Sequence, residues 1–176
     1  MSPVTNRAAL LNKELVAPGS IALLADLMLK KGLFLATAES CTGGMIAAAC
    51  TDLAGSSAWF ERGFVTYSNA AKTDMLAVDA ALIVRHGAVS EAVARAMALG
   101  AIRHSRAQVS VAVTGVAGPA GGSVDKPVGT VWFAWCVCGS LDSEKLQLTG
   151  DRASVRQATV DHAIGRLLTL LEKNSA

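Results

Sequence analysis

Three short stretches of this 176-residue sequence carry side chains able to do chemistry. The first is Thr37-Ala38-Glu39-Ser40-Cys41-Thr42-Gly43-Gly44, in which a carboxylate, a hydroxyl and a thiol stand side by side. An apolar run, Leu33 to Ala38, precedes it and an alanine-rich run, Met45 to Thr51, follows, which reads as strand, turn and helix. A turn of this kind lies at the carboxyl end of a strand, where open α/β sheets bind ligands. Gly43 and Gly44 let a ligand approach the backbone. The first turn of the helix offers free N–H groups and a positive dipole end, suited to a phosphate or an oxyanion. Ser40 is a candidate nucleophile. Cys41 is its rival, because a thiol is intrinsically more nucleophilic. Neighbouring residues on a turn point in different directions, so only one of them can fill the role. The plainer reading makes Ser40 and Thr42 helix N-caps. The pattern is neither the G-x-S-x-G elbow of α/β-hydrolases nor a P-loop.

The second stretch is Tyr67-Ser68-Asn69-Ala70-Ala71-Lys72, and Tyr67 is the only tyrosine of the chain. With a strand-to-helix turn between them, these two side chains can share a site. A lysine becomes a base when desolvation or a nearby cation lowers its pKa, and a tyrosine hydroxyl can relay a proton or orient a nucleophile. The plainer reading is a surface lysine and a half-buried tyrosine. The third stretch is Thr114-Gly115-Val116-Ala117-Gly118-Pro119-Ala120-Gly121-Gly122, continued by Lys126-Pro127-Val128-Gly129. A long glycine loop after a strand of valines is a typical functional place. Its amides could line a phosphate or ribose pocket, with Lys126 as a counter-charge. An ordinary crossover loop is the alternative.

Other polar residues promise less. His86, His104 and His162 show no metal-ligand spacing and read as surface or capping residues. Asp125, Asp151 and Arg152 read as solvated loop charges, and Asp74 and Asp79 as caps or neighbours of the site. No metal-ligand cluster is visible, so a metallohydrolase is disfavoured and neither metal nor cofactor is expected.

The elements that must position these groups follow from periodicity. Ile21, Leu24, Leu27 and Leu29 predict an amphipathic helix from Ser20 to about Gly32. Strands are predicted over Leu33–Ala38, Trp59–Tyr67, Gln108–Thr114, Gly129–Cys138 and Leu141–Thr149, the last two as a hairpin. Helices are predicted over Met45–Thr51, Ala70–Ala77, Ser90 to about His104, with Ser90 as its cap and Glu91 in its first turn, and Arg152–Lys173. Alternating helices and strands followed by adjacent strands argue for an α/β layered domain with a mixed sheet. The whole chain reads as one domain behind a lead-in, residues 1–18.

Composition bounds the rest. Apolar residues make up 52% of the chain, much of it alanine, while aromatic residues are 5% and charged residues 17%. Small-residue packing follows, and low charge suits a homodimer or larger assembly. The net charge is +2 with no basic run longer than two, which argues against nucleic acid as a partner. The four cysteines, Cys41, Cys50, Cys136 and Cys138, form no C-x-x-C pair. Cys136 and Cys138 are expected on one face of a strand, and all four as free buried thiols of a reducing compartment. No secretory h-region and no bilayer-length apolar run are present, so a soluble, cytoplasmic protein without a membrane partner is expected.

Five motifs in one order then carry a resemblance: Thr37 to Gly44, Gly55-Ser56-Ser57-Ala58-Trp59-Phe60, Gly63-Phe64-Val65-Thr66-Tyr67-Ser68-Asn69, His86-Gly87-Ala88-Val89-Ser90, and Thr114 to Pro119 through Lys126 to Thr130. Together they resemble the C-terminal domain of the competence/damage-inducible protein CinA, a family also known as nicotinamide-nucleotide amidohydrolases, over about residues 20 to 170. The resemblance implies a three-layer α/β/α domain with a mixed, mostly parallel sheet. It implies deamidation of nicotinamide mononucleotide to nicotinate mononucleotide and ammonia, a salvage reaction of pyridine nucleotides. It further implies Ser40 as nucleophile, assisted by Lys72 and Tyr67. Many members carry a preceding domain resembling molybdopterin-binding proteins, for which this chain is too short, so a stand-alone form is expected. On this reading Lys72 takes the Ser40 proton directly or through Tyr67. Amides near Cys41 to Gly44 hold the oxyanion, and Glu39, Thr42, Thr114, Gly115, Gly118 and Lys126 complete the substrate-binding set. Two other functions stay open: a non-catalytic nucleotide-binding module built on the same glycine loops, and a structural or assembly protein of DNA uptake, which only the family name suggests and the lack of a basic stripe argues against.

Overall fold

The computed structural model describes residues 19–173, so the expected lead-in lies outside the described residues. Helix α1 (Ser20–Lys31) buries Leu24, Ala25 and Met28 and stops at Gly32, whose left-handed backbone returns its N–H to the carbonyls of Met28 and Leu29. Strand β1 (Leu35–Glu39) follows, buried along its whole length. Then come α2 (Met45–Thr51), one 3-10 turn (Ser56–Ala58), β2 (Phe60–Val65), α3 (Asn69–Leu76), α4 (Ala80–His86) and α5 (Glu91–Arg103). The chain closes with β3 (Val109–Gly115), β4 (Thr130–Val137), β5 (Ser140–Gln147) and α6 (Arg152–Lys173). The sheet order is β2-β1-β3-β4-β5. Strands β2, β1 and β3 are parallel, β4 is antiparallel to β3, and β5 to β4. Every strand but β4 therefore runs the same way, in the mixed, mostly parallel sheet of an α/β/α fold.

Strand pleating sends alternate residues to opposite faces, and the two faces are built differently. On one, Val109, Val111, Val113, Val131, Phe133, Trp135 and Val137 meet α1, α2 and α6. Phe133 and Trp135 stack with ring centroids 5.7 Å apart, and the Trp135 indole N–H donates to the Ala163 carbonyl at 3.0 Å. His162 packs edge-on against Phe133 and reaches Glu144 at 2.9 Å, so it belongs to this packing and is not the surface or capping residue expected. On the other face the strands present Ala36, Ala38, Ala112 and Ala134 to the small residues Ala94, Ala98 and Ala101 of α5. Small residues on both sides bring helix and sheet together. The Ser110 hydroxyl donates to the Ala98 carbonyl at 2.8 Å, and a Cβ on Gly100 would strike the Leu76 carbonyl where α3 ends against α5. Much of the alanine content is thus used inside the chain.

Two expectations differ. Helix α4 was not predicted: its seven residues are too short for a periodic signal, and Asp79 caps it by accepting from Ala81 N–H at 2.8 Å. Cys138 does not share a strand face with Cys136. It turns with φ 49° after β4 ends at Val137 and is exposed, whereas Cys41, Cys50 and Cys136 are buried free thiols.

Candidate active site

The sheet extends one residue beyond β1. Thr66 N–H donates to the Glu39 carbonyl at 2.8 Å and Ser40 N–H to the Val113 carbonyl at 3.1 Å, fixing Ser40 between β2 and β3. The chain then reverses. Gly43 N–H closes onto the Ser40 carbonyl at 3.1 Å, and Gly43 and Gly44 take φ values of 61° and 100° that only glycine adopts freely. Glu39 is fully buried beneath this turn. Its carboxylate accepts from the Thr42 hydroxyl at 2.7 Å and from the N–H groups of Gly44, Ile46 and Ala47 at 3.0, 3.0 and 2.8 Å. Glu39 therefore caps α2 from behind. The plainer reading of Ser40 and Thr42 as N-caps does not hold, and the Ser40 hydroxyl bonds elsewhere.

That hydroxyl meets Lys72, whose Nζ donates to Ser40 Oγ at 3.0 Å and to the Thr66 carbonyl at 2.8 Å. Lys72 rides on α3, which starts where the Ser68 hydroxyl accepts from Ala71 N–H. Its side chain is 1% exposed, and no carboxylate pairs with it among the described residues. Burial without a counter-ion holds its pKa below 10.5, with the Cys41 thiol acting weakly the other way. A desolvated lysine on a serine hydroxyl has the requirements of a general base. Burial pushes the neighbouring Cys41 thiol up to about 11, against the smaller opposing pull of its own backbone N–H, Arg156 and Lys72. That shift favours the thiol over the thiolate and weighs against Cys41 as the rival nucleophile.

Ser40, Cys41 and Lys72 line a cavity of about 210 Å³. Thr114, Gly115 and Ala117 close it from the end of β3, Ala88 and Val89 from the approach to α5, and Tyr67, Asn69 and Arg152 complete the wall. The Thr114 hydroxyl donates to the Ala88 carbonyl at 2.9 Å. Tyr67 is 61% exposed, and its hydroxyl accepts from Arg152 Nη2 at 3.0 Å; Arg152 Nη1 donates to the Gly118 carbonyl at 2.8 Å. A larger hollow of about 470 Å³ lies among Ile21, Ala49, Leu53, Val160 and Ile164, on the other side of α2, but no candidate nucleophile faces it.

Of the residues expected at the site, the cavity gathers Ser40, Cys41, Tyr67, Lys72, Thr114 and Gly115. It does not gather Glu39, Thr42, Gly43, Gly44, Gly118 or Lys126. The first four form the back of the turn, Gly118 offers only its carbonyl to Arg152, and Lys126 Nζ is held by the His86 carbonyl at 2.9 Å. Arg152 departs from the expectation of a solvated loop charge, for it stands in the cavity wall, held by the Tyr67 hydroxyl and the Gly118 carbonyl. Asp151 likewise is no free charge, since it accepts from the Ser154 N–H and hydroxyl at the start of α6. Asn69, Ala88, Val89 and Ala117 also line the cavity; they lie inside the quoted motifs, although their side-chain types alone do not mark a site. The oxyanion donors also narrow. Within residues 40–47 the N–H groups of Ser40, Gly43, Gly44, Met45, Ile46 and Ala47 all have protein acceptors. The Cys41 N–H meets only its own thiol, and the Thr42 N–H has no acceptor among the described residues.

Comparison with known proteins converges on one family. The CinA C-terminal domain matches residues 20–171. The chain is 56% identical over 132 residues to the nicotinamide-nucleotide amidohydrolase PncC of Enterobacter agglomerans, covering 74% of this chain and 80% of that protein. It is 51% identical over 138 residues to the PncC of Escherichia coli, covering 78% and 84%. The crystal structure of the competence/damage inducible protein CihA from Agrobacterium tumefaciens superposes with a TM-score of 0.81 at 47% identity, covering 87% of this chain and 96% of that one.

Proposed function

Because the chain belongs to the CinA C-terminal domain family, we propose that it hydrolyses the carboxamide of nicotinamide mononucleotide, releasing ammonia and leaving nicotinate mononucleotide. The substrate is taken from the names of its relatives. The observation that carries the chemistry is the buried Lys72 Nζ, without a counter-ion, 3.0 Å from Ser40 Oγ in the cavity wall.

Neutral Lys72 removes the Ser40 proton as Oγ attacks the carboxamide carbon. The direct contact leaves no need for a relay through Tyr67, whose hydroxyl is engaged by Arg152. Charge developing on the carbonyl oxygen is received by the N–H of Cys41, the turn residue that lines the cavity beside Ser40. Protonated Lys72 returns the proton to the departing nitrogen and ammonia leaves the nicotinoyl ester on Ser40. Water, deprotonated by the same lysine, then hydrolyses the ester. Arg152, set apart from the nucleophile at the start of α6, is the group best suited to the phosphate of the nucleotide.

Ammonia release from nicotinamide mononucleotide, measured for wild type and Ser40→Ala with a chelator present, tests the reading. Release by the wild type alone, insensitive to chelation, is expected. Near-normal release by Ser40→Ala would remove the serine from the mechanism. Tight binding of the nucleotide without ammonia from either protein would favour a binding module.

A further inference from the structure

Arg156 bonds neither Ser40 nor Lys72, yet it is held against the turn that carries the nucleophile. One helical turn after Arg152 on α6, it donates from Nε to the Cys41 carbonyl at 3.1 Å and from Nη2 to the Thr42 carbonyl at 2.9 Å. It forms no ion pair with a carboxylate among the described residues. A half-buried guanidinium is thus spent on two consecutive carbonyls of the segment that carries the nucleophile.

The geometry of that segment says what this does. Gly43 N–H closes onto the Ser40 carbonyl, and neither Cys41 nor Thr42 has a positive φ. A hydrogen-bonded turn with negative φ at both central positions is type I, a single turn of helix-like backbone. In such a turn the carbonyls of the two central residues point to one end and their N–H groups to the other. Arg156 binds the carbonyl end. The Cys41 and Thr42 N–H groups form the opposite end, and of these two residues Cys41 lines the cavity with Ser40. A cation at the carbonyl end reinforces the turn's dipole and sharpens the pull of the N–H end on an anion. It also offsets the buried Glu39 carboxylate, which bonds the same segment through the Thr42 hydroxyl and Gly44 N–H.

We infer that Arg156 is a positioning residue of the amidase centre, holding and polarising the Ser40–Gly43 turn so that the Cys41 N–H receives the oxyanion. The inference rests on the amidase reading above. It acts only in the transition state, so it separates from a purely structural role in kinetics.

The test compares Arg156→Ala and Arg156→Lys with wild type in steady-state ammonia release, alongside thermal unfolding of each protein. For Arg156→Ala, kcat is expected to fall by about 10²-fold, the size of a lost oxyanion donor. KM should stay within about threefold, because ground-state binding is untouched. Millimolar guanidinium, far below the molar range that unfolds proteins, should restore about tenfold of the loss. Arg156→Lys, which can hold only one of the two carbonyls at a time, should fall between. A kcat within about threefold of wild type, or a loss confined to KM, overturns the inference while leaving the amidase reading intact. So does a kcat loss that neither guanidinium nor lysine relieves. If Arg156→Ala does not fold, Arg156→Lys decides alone: a lowered kcat at unchanged KM supports the inference and a wild-type kcat overturns it. No ammonia from the wild type itself would bring down the amidase reading, and this inference with it.

Discussion

Residues 39–47 and residues 115–129 leave neighbouring parallel strands at the same end of the sheet, and glycines are prominent in both. In the first segment almost every polar group has a buried partner: the Glu39 carboxylate takes four donors, Ser40 meets Lys72, and Arg156 holds the outer carbonyls. The second contributes the cavity wall only through Gly115 and Ala117 at its base. Its distal part is tied down on itself and on α4, with Ser123 N–H donating to the Lys126 carbonyl and Lys126 Nζ to His86. Glycine richness therefore marks where a backbone must bend. Chemistry is marked by polar side chains whose partners come from other elements.

Substitutions in the two segments and their partners should separate sharply. Lys72→Met should cost the most, about 10³-fold or more in kcat, because it removes one member of a unit that acts together. In the wild type, kcat/KM should climb with pH as Lys72 loses its proton, with a midpoint below 10.5. Stability should move with it. Folding lowers the lysine pKa, so between that lowered value and 10.5 the unfolded chain binds more protons and stability rises with pH. Urea unfolding across that range should show the rise in wild type and lose it in Lys72→Met.

Glu39→Ala should be next, felt in stability ahead of kinetics. It strands three N–H groups and a hydroxyl in a buried place, at about 3 kcal/mol or more. A urea midpoint close to wild type would mean that another group takes over the cap. Arg152→Ala should raise KM by about tenfold, equivalent to ~1.4 kcal/mol, with kcat little changed. The same substitution should matter less with the riboside, which has no phosphate. Equal losses on both substrates would assign Arg152 to Tyr67 rather than to phosphate. Lys126→Ala should change KM by less than about twofold, as is usual for a residue outside the substrate contacts. A large rise in KM would bring the distal glycine loop back into the site.

Much of the fold was legible. The strand-turn-helix around Ser40 and the long helix Arg152–Lys173 follow from local pattern, and the hairpin of β4 and β5 from two adjacent apolar and alternating runs. The meeting of Lys72 with Ser40, in a cavity that Tyr67 also lines, is legible in the sequence only through the family motifs, since a lysine in sequence looks like a surface lysine. Arg152 was misjudged because nothing local distinguishes a charge at the start of a helix from one in solvent. Glu39 was placed with the substrate because an acidic residue beside a nucleophile suggests chemistry. Its actual partners, the amides of Gly44, Ile46 and Ala47, become visible only when the turn closes.

By itself the sequence determined the layers and the positions of the turns, because hydrophobic periodicity and glycine placement act over a few residues. It also determined the chemical types available at those turns. The tertiary structure decided which of them meet. Lys72 lies 32 residues from Ser40 and Arg156 114 residues from Thr42, and both contacts exist because the sheet and α6 bring distant segments to one place. It also decided how those groups behave. Burial without a counter-ion lowers the pKa of Lys72 and burial raises that of Cys41, and burial is a property of the packed chain as a whole.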